Sequence, residues 1–208
     1  MLMEEDKKVR SGPFVSRETN EPLRTYSASI KKWTSKINLI APKDATDEAI
    51  WERHILDSRQ ILPLIPAGVT HAIDLGSGAG LPGMVVAIER PDIHVTMIEA
   101  DRRKAAFLQT VVAALGLSAT VLPERIEAAV VAPAALVMAR ALAPLPDLLT
   151  YAMPLLAPGG VCLFMKGRNA EAEIAAAAAD WRVAVERFAS QTDPEAMILR
   201  ISEVRRAG

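Results

Sequence analysis

The chain has 208 residues, half of them hydrophobic and 24% charged, with a formal net charge of −1. That length suits one domain of ordinary size, and the near-neutral balance excludes a protein that coats nucleic acid over its whole surface. Its apolar runs stop short of the ~20 residues of a membrane span, and its single cysteine, Cys162, excludes an internal disulfide and suits a reducing compartment.

Residues 1–17 are polar, carry Gly12 and Pro13, and are expected to be a frayed tail with no apolar signal region. From Glu18 the apolar residues Leu23, Tyr26, Ile30, Trp33 and Ile37 fall on one helical face, opposite Arg24, Lys31, Lys32 and Lys36. Residues 1–43 hold nine Lys/Arg against five Asp/Glu, which a solvated helix face explains at least as well as an RNA-facing one. The helix is expected to stop near Asn38, ahead of Pro42. A second helix is expected from Asp47 to Ile65, with Ile50, Trp51, Ile55, Ser58, Ile61, Leu62 and Ile65 inward. His54 and Asp57 are three apart on it and so are neighbours.

The short apolar run Ala72–Leu75 reads as a buried strand. Four glycines follow it within eight residues, Gly76, Gly78, Gly80 and Gly83, ahead of an apolar helical pattern. A strand that turns tightly into a helix presents free backbone N–H groups, and residues without side chains let a nucleotide-like ligand lie against them. Gly78 to Gly83 also fits the dinucleotide fingerprint, but that pattern wants its first glycine directly after the strand. Read from the strand, the pattern is Asp74-x-Gly76-x-Gly78-x-Gly80. An acidic residue there, pointing into the loop, repels a pyrophosphate and suits a ligand with an ammonium and a sulfonium. The stretch resembles the first motif of the class I methyltransferases, whose cofactor is S-adenosylmethionine. Glu99, after the apolar run 93–98, can accept hydrogen bonds from both ribose hydroxyls of an adenosine.

Pro82 is expected in the first helical turn, with the helix running on from Met84 to Arg90. Asp101 caps a helix Arg102 to Leu115, closed by Gly116. Strands are expected at Ser118–Leu122 and Ala134–Met138. A helix from Leu145 to Leu156 and the turn 157–160 lead into a strand, Val161–Met165. An alanine-rich helix, Ala170–Trp181, precedes two strands, Val183–Phe188 and Met197–Ile201, spaced as a hairpin. Alternating strands and helices predict a mostly parallel sheet. The closing antiparallel hairpin separates a methyltransferase from a dinucleotide dehydrogenase, which also needs a second nucleotide-binding half.

For the methyl acceptor, cytosine C5 chemistry needs a cysteine nucleophile, and Cys162 lies mid-strand. The Pro-Pro-aromatic loop used on exocyclic amines is missing from Ala139-Arg140-Ala141-Leu142-Ala143-Pro144. A ring nitrogen with a free lone pair, such as guanine N7, needs no base, only alignment. Arg140 or Lys166 should then hold a phosphate or the guanine O6 and leave N7 free.

Asn38-Leu39-Ile40, Arg53-His54-Ile55-Leu56-Asp57-Ser58, Asp74 to Gly83 with Leu81-Pro82-Gly83, Arg125, Arg140-Ala141 and Lys166-Gly167 occur together in this order. With them the chain resembles the ribosomal RNA small subunit methyltransferase G family, also called glucose-inhibited division protein B, from about residue 25 to 203. The resemblance implies a class I methyltransferase, Rossmann-like α/β fold: a seven-stranded, mostly parallel sheet with a C-terminal antiparallel hairpin. Residues 1–68 would be an N-terminal helical extension and 69–208 the methyltransferase domain. It implies a cytoplasmic, monomeric bacterial enzyme without a metal, methylating guanine N7 in 16S ribosomal RNA or a small-subunit particle. Asp74, Gly76, Ser77, Gly78, Gly80, Leu81, Glu99 and Ala100 would form the cofactor pocket, with Arg125, Ile126 and Glu127 near the adenine. Asn38, His54, Arg140 and Lys166 would face the substrate, Arg140 also reaching the cofactor. One departure stands out: Ala196 occupies the place in the hairpin turn where an arginine is expected, leaving Arg200 or another basic residue to replace it. Methylation of a small molecule or a protein, a non-catalytic S-adenosylmethionine-binding domain and a dinucleotide-binding protein are the alternative readings.

Overall fold

A computed structural model describes residues 20–207; the expected tail over 1–17 lies outside them. Helix α1 (Glu21–Thr34) starts at Asn20, whose side chain accepts from the Leu23 N–H. Leu23, Tyr26 and Ile30 are fully buried along its inner face.

The second helix is not continuous. It runs as α2 (Asp47–Ile50), a π-helical segment (Trp51–Leu56) and α3 (Asp57–Arg59). A separate 3-10 turn, Leu62–Leu64, replaces its predicted end. Pro63 carries no N–H and fits that short turn, not a helix interior. The inward residues are nonetheless as the spacing predicts, with Ile50, Ile55, Ser58 and Ile61 at zero exposure.

Seven strands form one sheet: β1 (His71–Leu75), β2 (His94–Ile98), β3 (Ala119–Leu122), β4 (Ala134–Arg140), β5 (Leu156–Lys166), β6 (Trp181–Ala189) and β7 (Met197–Arg206). Their order is β3-β2-β1-β4-β5-β7-β6, with β1 to β5 parallel and β7 antiparallel to both β5 and β6. This is the predicted mostly parallel sheet with a closing hairpin. The strand order reverses between β1 and β4, which opens a crevice at their C-terminal ends.

Helices α4 (Gly83–Glu89) and α5 (Arg102–Leu115) join α1 and the segment 47–65 on one sheet face. Helices α6 (Leu145–Ala152) and α7 (Ala170–Ala177) cover the other. Pro82 precedes α4 as its cap residue, not inside its first turn as expected. Trp181, expected to end α7, starts β6 and is buried. Residues 157–160, expected as a turn, are drawn into β5, with an irregular register against β4 and Gly159 in the left-handed region.

The helices before β1 share one core with the sheet: Tyr26, Ile50 and Ile61 belong to the same buried cluster as Met97, Leu136 and Leu163. Polar ties reinforce it. Glu89 at the end of α4 accepts from Asn20 and pairs with Arg59 at 3.0 Å. The Tyr26 hydroxyl donates to the Ala79 carbonyl in the glycine loop at 2.7 Å.

Candidate active site

The glycine loop lies between β1 and α4. Gly76, Gly78 and Gly80 all have positive φ, which makes glycine the low-strain choice at each. Only part of the loop faces open space. A Cβ at Gly76 would collide with Leu142, and one at Gly80 would lie 2.8 Å from Leu108 and 3.1 Å from the Tyr26 hydroxyl. Gly80 is therefore a packing residue between α1 and α5. Gly78 has room around it.

Asp74 departs from the expectation that it points into the loop. Alternation along β1 turns it to the same face as Ala72, where it is fully buried. Its Oδ2 accepts from the Gly83 N–H at 3.3 Å, and a Cβ on Gly83 would come within 2.6 Å of that oxygen. Burial pushes its pKa up to about 7, and its Oδ1 has no partner. Asp74 and Gly83 thus form a buried seam under the loop.

Glu99 holds the loop from the other side. Its Oε2 accepts from the Gly78 N–H and its Oε1 from the Asp101 N–H, both at 2.7 Å. Each oxygen keeps a lone pair for a further donor.

Beside this loop is a cleft of about 560 Å³. Gly76, Ser77, Gly78, Leu81, Glu99, Ala100, Arg125, Ile126, Glu127 and Arg140 line it, as predicted; Asp74 and Gly80 do not. Leu39–Ala41, Asp44, Lys104, Glu124, Leu142 and Tyr151 also line it. A carboxylate at the cleft edge, apolar walls and bare backbone fit an adenosine better than a phosphate chain. The residues present therefore accommodate S-adenosylmethionine.

A second cleft of about 750 Å³ opens at the ends of β4 and β5. Arg53, Asp57, Lys166, Arg168, Asn169, Glu173 and the β6–β7 turn, including Thr192, Asp193 and Ala196, line it. The two clefts share Asp44, His54, Arg140 and Ala141.

Arg140 is the knot between them. Strand alternation sends it to the face of Leu136 and Met138, onto the π-helical segment. There Nη2 lies 2.7 Å from His54 Nδ1 and 3.2 Å from the Arg53 carbonyl. Nη1 reaches the His54 carbonyl (3.4 Å), Ser58 Oγ (3.3 Å) and Asp57 Oδ2 (3.3 Å). The wide π turn leaves the Arg53 and His54 carbonyls open to this guanidinium. Ala141 follows with φ 50°, an alanine in the left-handed region, and swings Leu142 over Gly76.

Burial and the Arg140 charge lower the His54 pKa to about 4. The ring is thus neutral near pH 7. Its Nδ1 accepts from Arg140, so Nε2 carries the proton, and that buried Nε2 has no partner.

Lys166 leaves the sheet on the opposite face. Its Nζ donates to the Ala143 carbonyl at 2.8 Å and pairs with Glu173 at 2.6 Å. Glu173 also accepts from the Leu145 N–H at 2.8 Å. Lys166 therefore fastens the chain after β4 to α7, instead of standing free in the cleft.

Asn38 is exposed and lines neither cleft, although Leu39, Ile40 and Ala41 after it line the first. Arg200 does not fill the place of Ala196: it pairs with Glu186 at 3.2 Å and lies outside the cleft. Cys162 is buried, with its thiol pushed up to about 12, unsuited to a nucleophile.

Sequence reasoning missed Asp44, a mostly buried carboxylate 2.7 Å from Arg53. It also missed Gln60, which accepts from the Gln191 N–H and donates to Ser190 and Thr192. Gln60 and the Asp57–Thr192 contact tie α3 to the hairpin turn. The spacing of these last pairs in sequence carried no signal, because the partners are 130 to 135 residues apart.

A family model described as "GidB: rRNA small subunit methyltransferase G" matches residues 19–196. The chain belongs to this family. Among curated proteins, "Ribosomal RNA small subunit methyltransferase G" of Acidiphilium cryptum is 62% identical over 93% of this chain and 89% of its own. The protein of that name from Paramagnetospirillum magneticum is 48% identical over 92% of each. Solved structures bear out the fold. A methyltransferase from Pyrococcus furiosus superposes with a TM-score of 0.59 at 14% identity, over 90% of this chain and 99% of that one. The O-methyltransferase TomG from Streptomyces achromogenes, in complex with SAM, gives 0.54 at 15% identity, over 88% and 89%. The G-family protein described here is an S-adenosylmethionine-dependent methyltransferase with a class I fold.

Proposed function

We propose that the enzyme methylates N7 of a guanine in 16S ribosomal RNA, with the cofactor in the glycine-loop cleft and the base in the second cleft. The shared wall of Asp44, His54, Arg140 and Ala141 carries this reading, because it lets two ligands meet. Family membership supports the ribosomal RNA substrate.

The cofactor supplies a methyl group on a positively charged sulfur. The N7 lone pair forms the new bond, the sulfur–methyl bonding pair stays on sulfur, and no proton is transferred. Holding the reactants in line can supply about 7–11 kcal/mol of the barrier reduction. Glu99 and the Gly78 region hold the ribose and the amino-acid end. Arg140 fixes the His54 ring in the wall shared by the two clefts, and N7 of the base is left free. Arg140 positions His54, and Lys166 positions the chain after β4. Asn38 meets the RNA at the rim. Residues 69–208 form the methyltransferase domain and 1–68 its helical extension, and the protein works as a monomer in the bacterial cytoplasm.

Methyl transfer from labelled S-adenosylmethionine to undermethylated small-subunit RNA and 30S particles tests this, with the modified nucleoside identified by mass. Label in 7-methylguanosine at one position is expected. Label in another nucleoside, or in none, overturns the assignment.

A further inference from the structure

Four cations face the second cleft, and three are already committed. Arg140 is enclosed by acceptors from the π-helical segment and α3. Lys166, with its side chain only 8% exposed, is held by Ala143 and Glu173. Arg53 neutralises Asp44, a carboxylate that would be left buried and uncompensated without it. Arg168 differs. Its side chain is 74% exposed, and its ion-pair partner is Glu195 at 3.2 Å, itself 60% exposed.

An exposed pair of this kind contributes little to stability, so separating it strands no charge. The two residues are cross-strand neighbours just past the paired ends of β5 and β7, where Lys166 faces Met197. Arg168 lies in the loop between β5 and α7, and Glu195 in the turn between β6 and β7. Arg168 lines the cleft with Gly167, Asn169, Asp193 and Ala196, whereas Glu195 does not. A guanidinium presents a planar fork that a carboxylate or a phosphate can occupy in the same way.

We infer that Arg168 takes a backbone phosphate next to the target nucleotide, and that Glu195 occupies the same fork until the RNA displaces it. The inference rests on the RNA-methyltransferase reading above. Glu195 then acts as a competitor that lowers affinity for anions too weakly placed to displace it. Arg168 is a substrate-binding residue, remote from the methyl group.

The test uses the full chain with undermethylated RNA, measuring kcat and KM over a series of salt concentrations. Arg168→Ala is expected to raise KM about 5- to 10-fold near 0.1 M salt while kcat and cofactor affinity hold. It should also flatten the dependence of log KM on log salt by about 0.7–1, the loss of one phosphate contact. Arg168→Lys should keep the salt slope, and Glu195→Gln should lower KM. An unchanged salt slope in Arg168→Ala overturns the inference. So does a Glu195→Gln variant whose KM rises with that of Arg168→Ala, since the pair would then be a structural bridge. If wild-type protein transfers no methyl group to RNA, the parent reading falls before either variant is compared.

Discussion

The glycine-loop cleft is built around the loops at the ends of β1, β2 and β3, with residues 39–44 and 140–142 closing it, whereas the second cleft is walled by four distant stretches, near residues 44–57, 140–141, 165–173 and 190–198. In the first, loop N–H groups are pinned by Glu99 and the chain lies over Asp74. In the second, almost every polar group is held by a partner from another element, as Arg140 is by His54 and Asp57. A backbone site tolerates change at most neighbouring side chains. A side-chain site fails when one knot is cut.

Cutting that knot is the strongest way to break the comparison. Arg140→Ala removes the guanidinium from the Asp57 carboxylate and from two carbonyls, an effect of about 3–5 kcal/mol in thermal or denaturant unfolding. Methyl transfer should fall at least tenfold while cofactor affinity by calorimetry stays within about threefold. Arg140→Lys keeps charge but not the fork, and should recover only part of the loss. An equal collapse of cofactor affinity in folded protein would show that the clefts are not separately built.

The next largest effect concerns pH. His54 is held near 4 in the fold against its ordinary 6.5. As pH falls through 6.5, the unfolded chain takes up the proton first, so stability should decline down to about pH 4 and be independent of this group above 6.5. The full span is at most about 3 kcal/mol. His54→Gln should flatten the acid limb of an unfolding-against-pH curve; an unchanged limb would place the acid sensitivity elsewhere.

Glu99→Ala probes the backbone cleft. Losing a charged acceptor should weaken cofactor binding about 10- to 100-fold, with cofactor-free RNA affinity unchanged in a filter or fluorescence assay. Loss of both would mean that the loop also shapes the second cleft.

Legibility in the sequence followed the same divide. The glycine loop, Glu99 and the Asp101 cap were readable because each is a local arrangement of neighbouring residues. So was the inward face of α1. The roles of Asp74 and Gly80 were misjudged because only packing decides which side of a strand end or loop meets solvent: Gly83 admits Asp74, and Tyr26 and Leu108 crowd Gly80. The π-helical segment left no mark that helical periodicity distinguishes, since its inward residues still recur at the expected steps. Arg140 and Lys166 were both legible as strand-end cations. That they leave opposite sheet faces follows from register: Arg140 shares the side of Met138, and Lys166 that of Phe164.

The shared core of the leading helices and the sheet has an evolutionary consequence. Tyr26, Ile50, Ile55 and Ile61 are fully buried against the sheet side, and each side chain of that kind contributes about 1.5–3 kcal/mol by leaving water. An appendage joined by a linker can be shed, exchanged or duplicated by gene fusion. Here such a cut would strip the sheet of one covering layer and remove His54 from Arg140 at the same stroke. The leading helices and the sheet are therefore expected to be gained or lost together, not exchanged as separate modules.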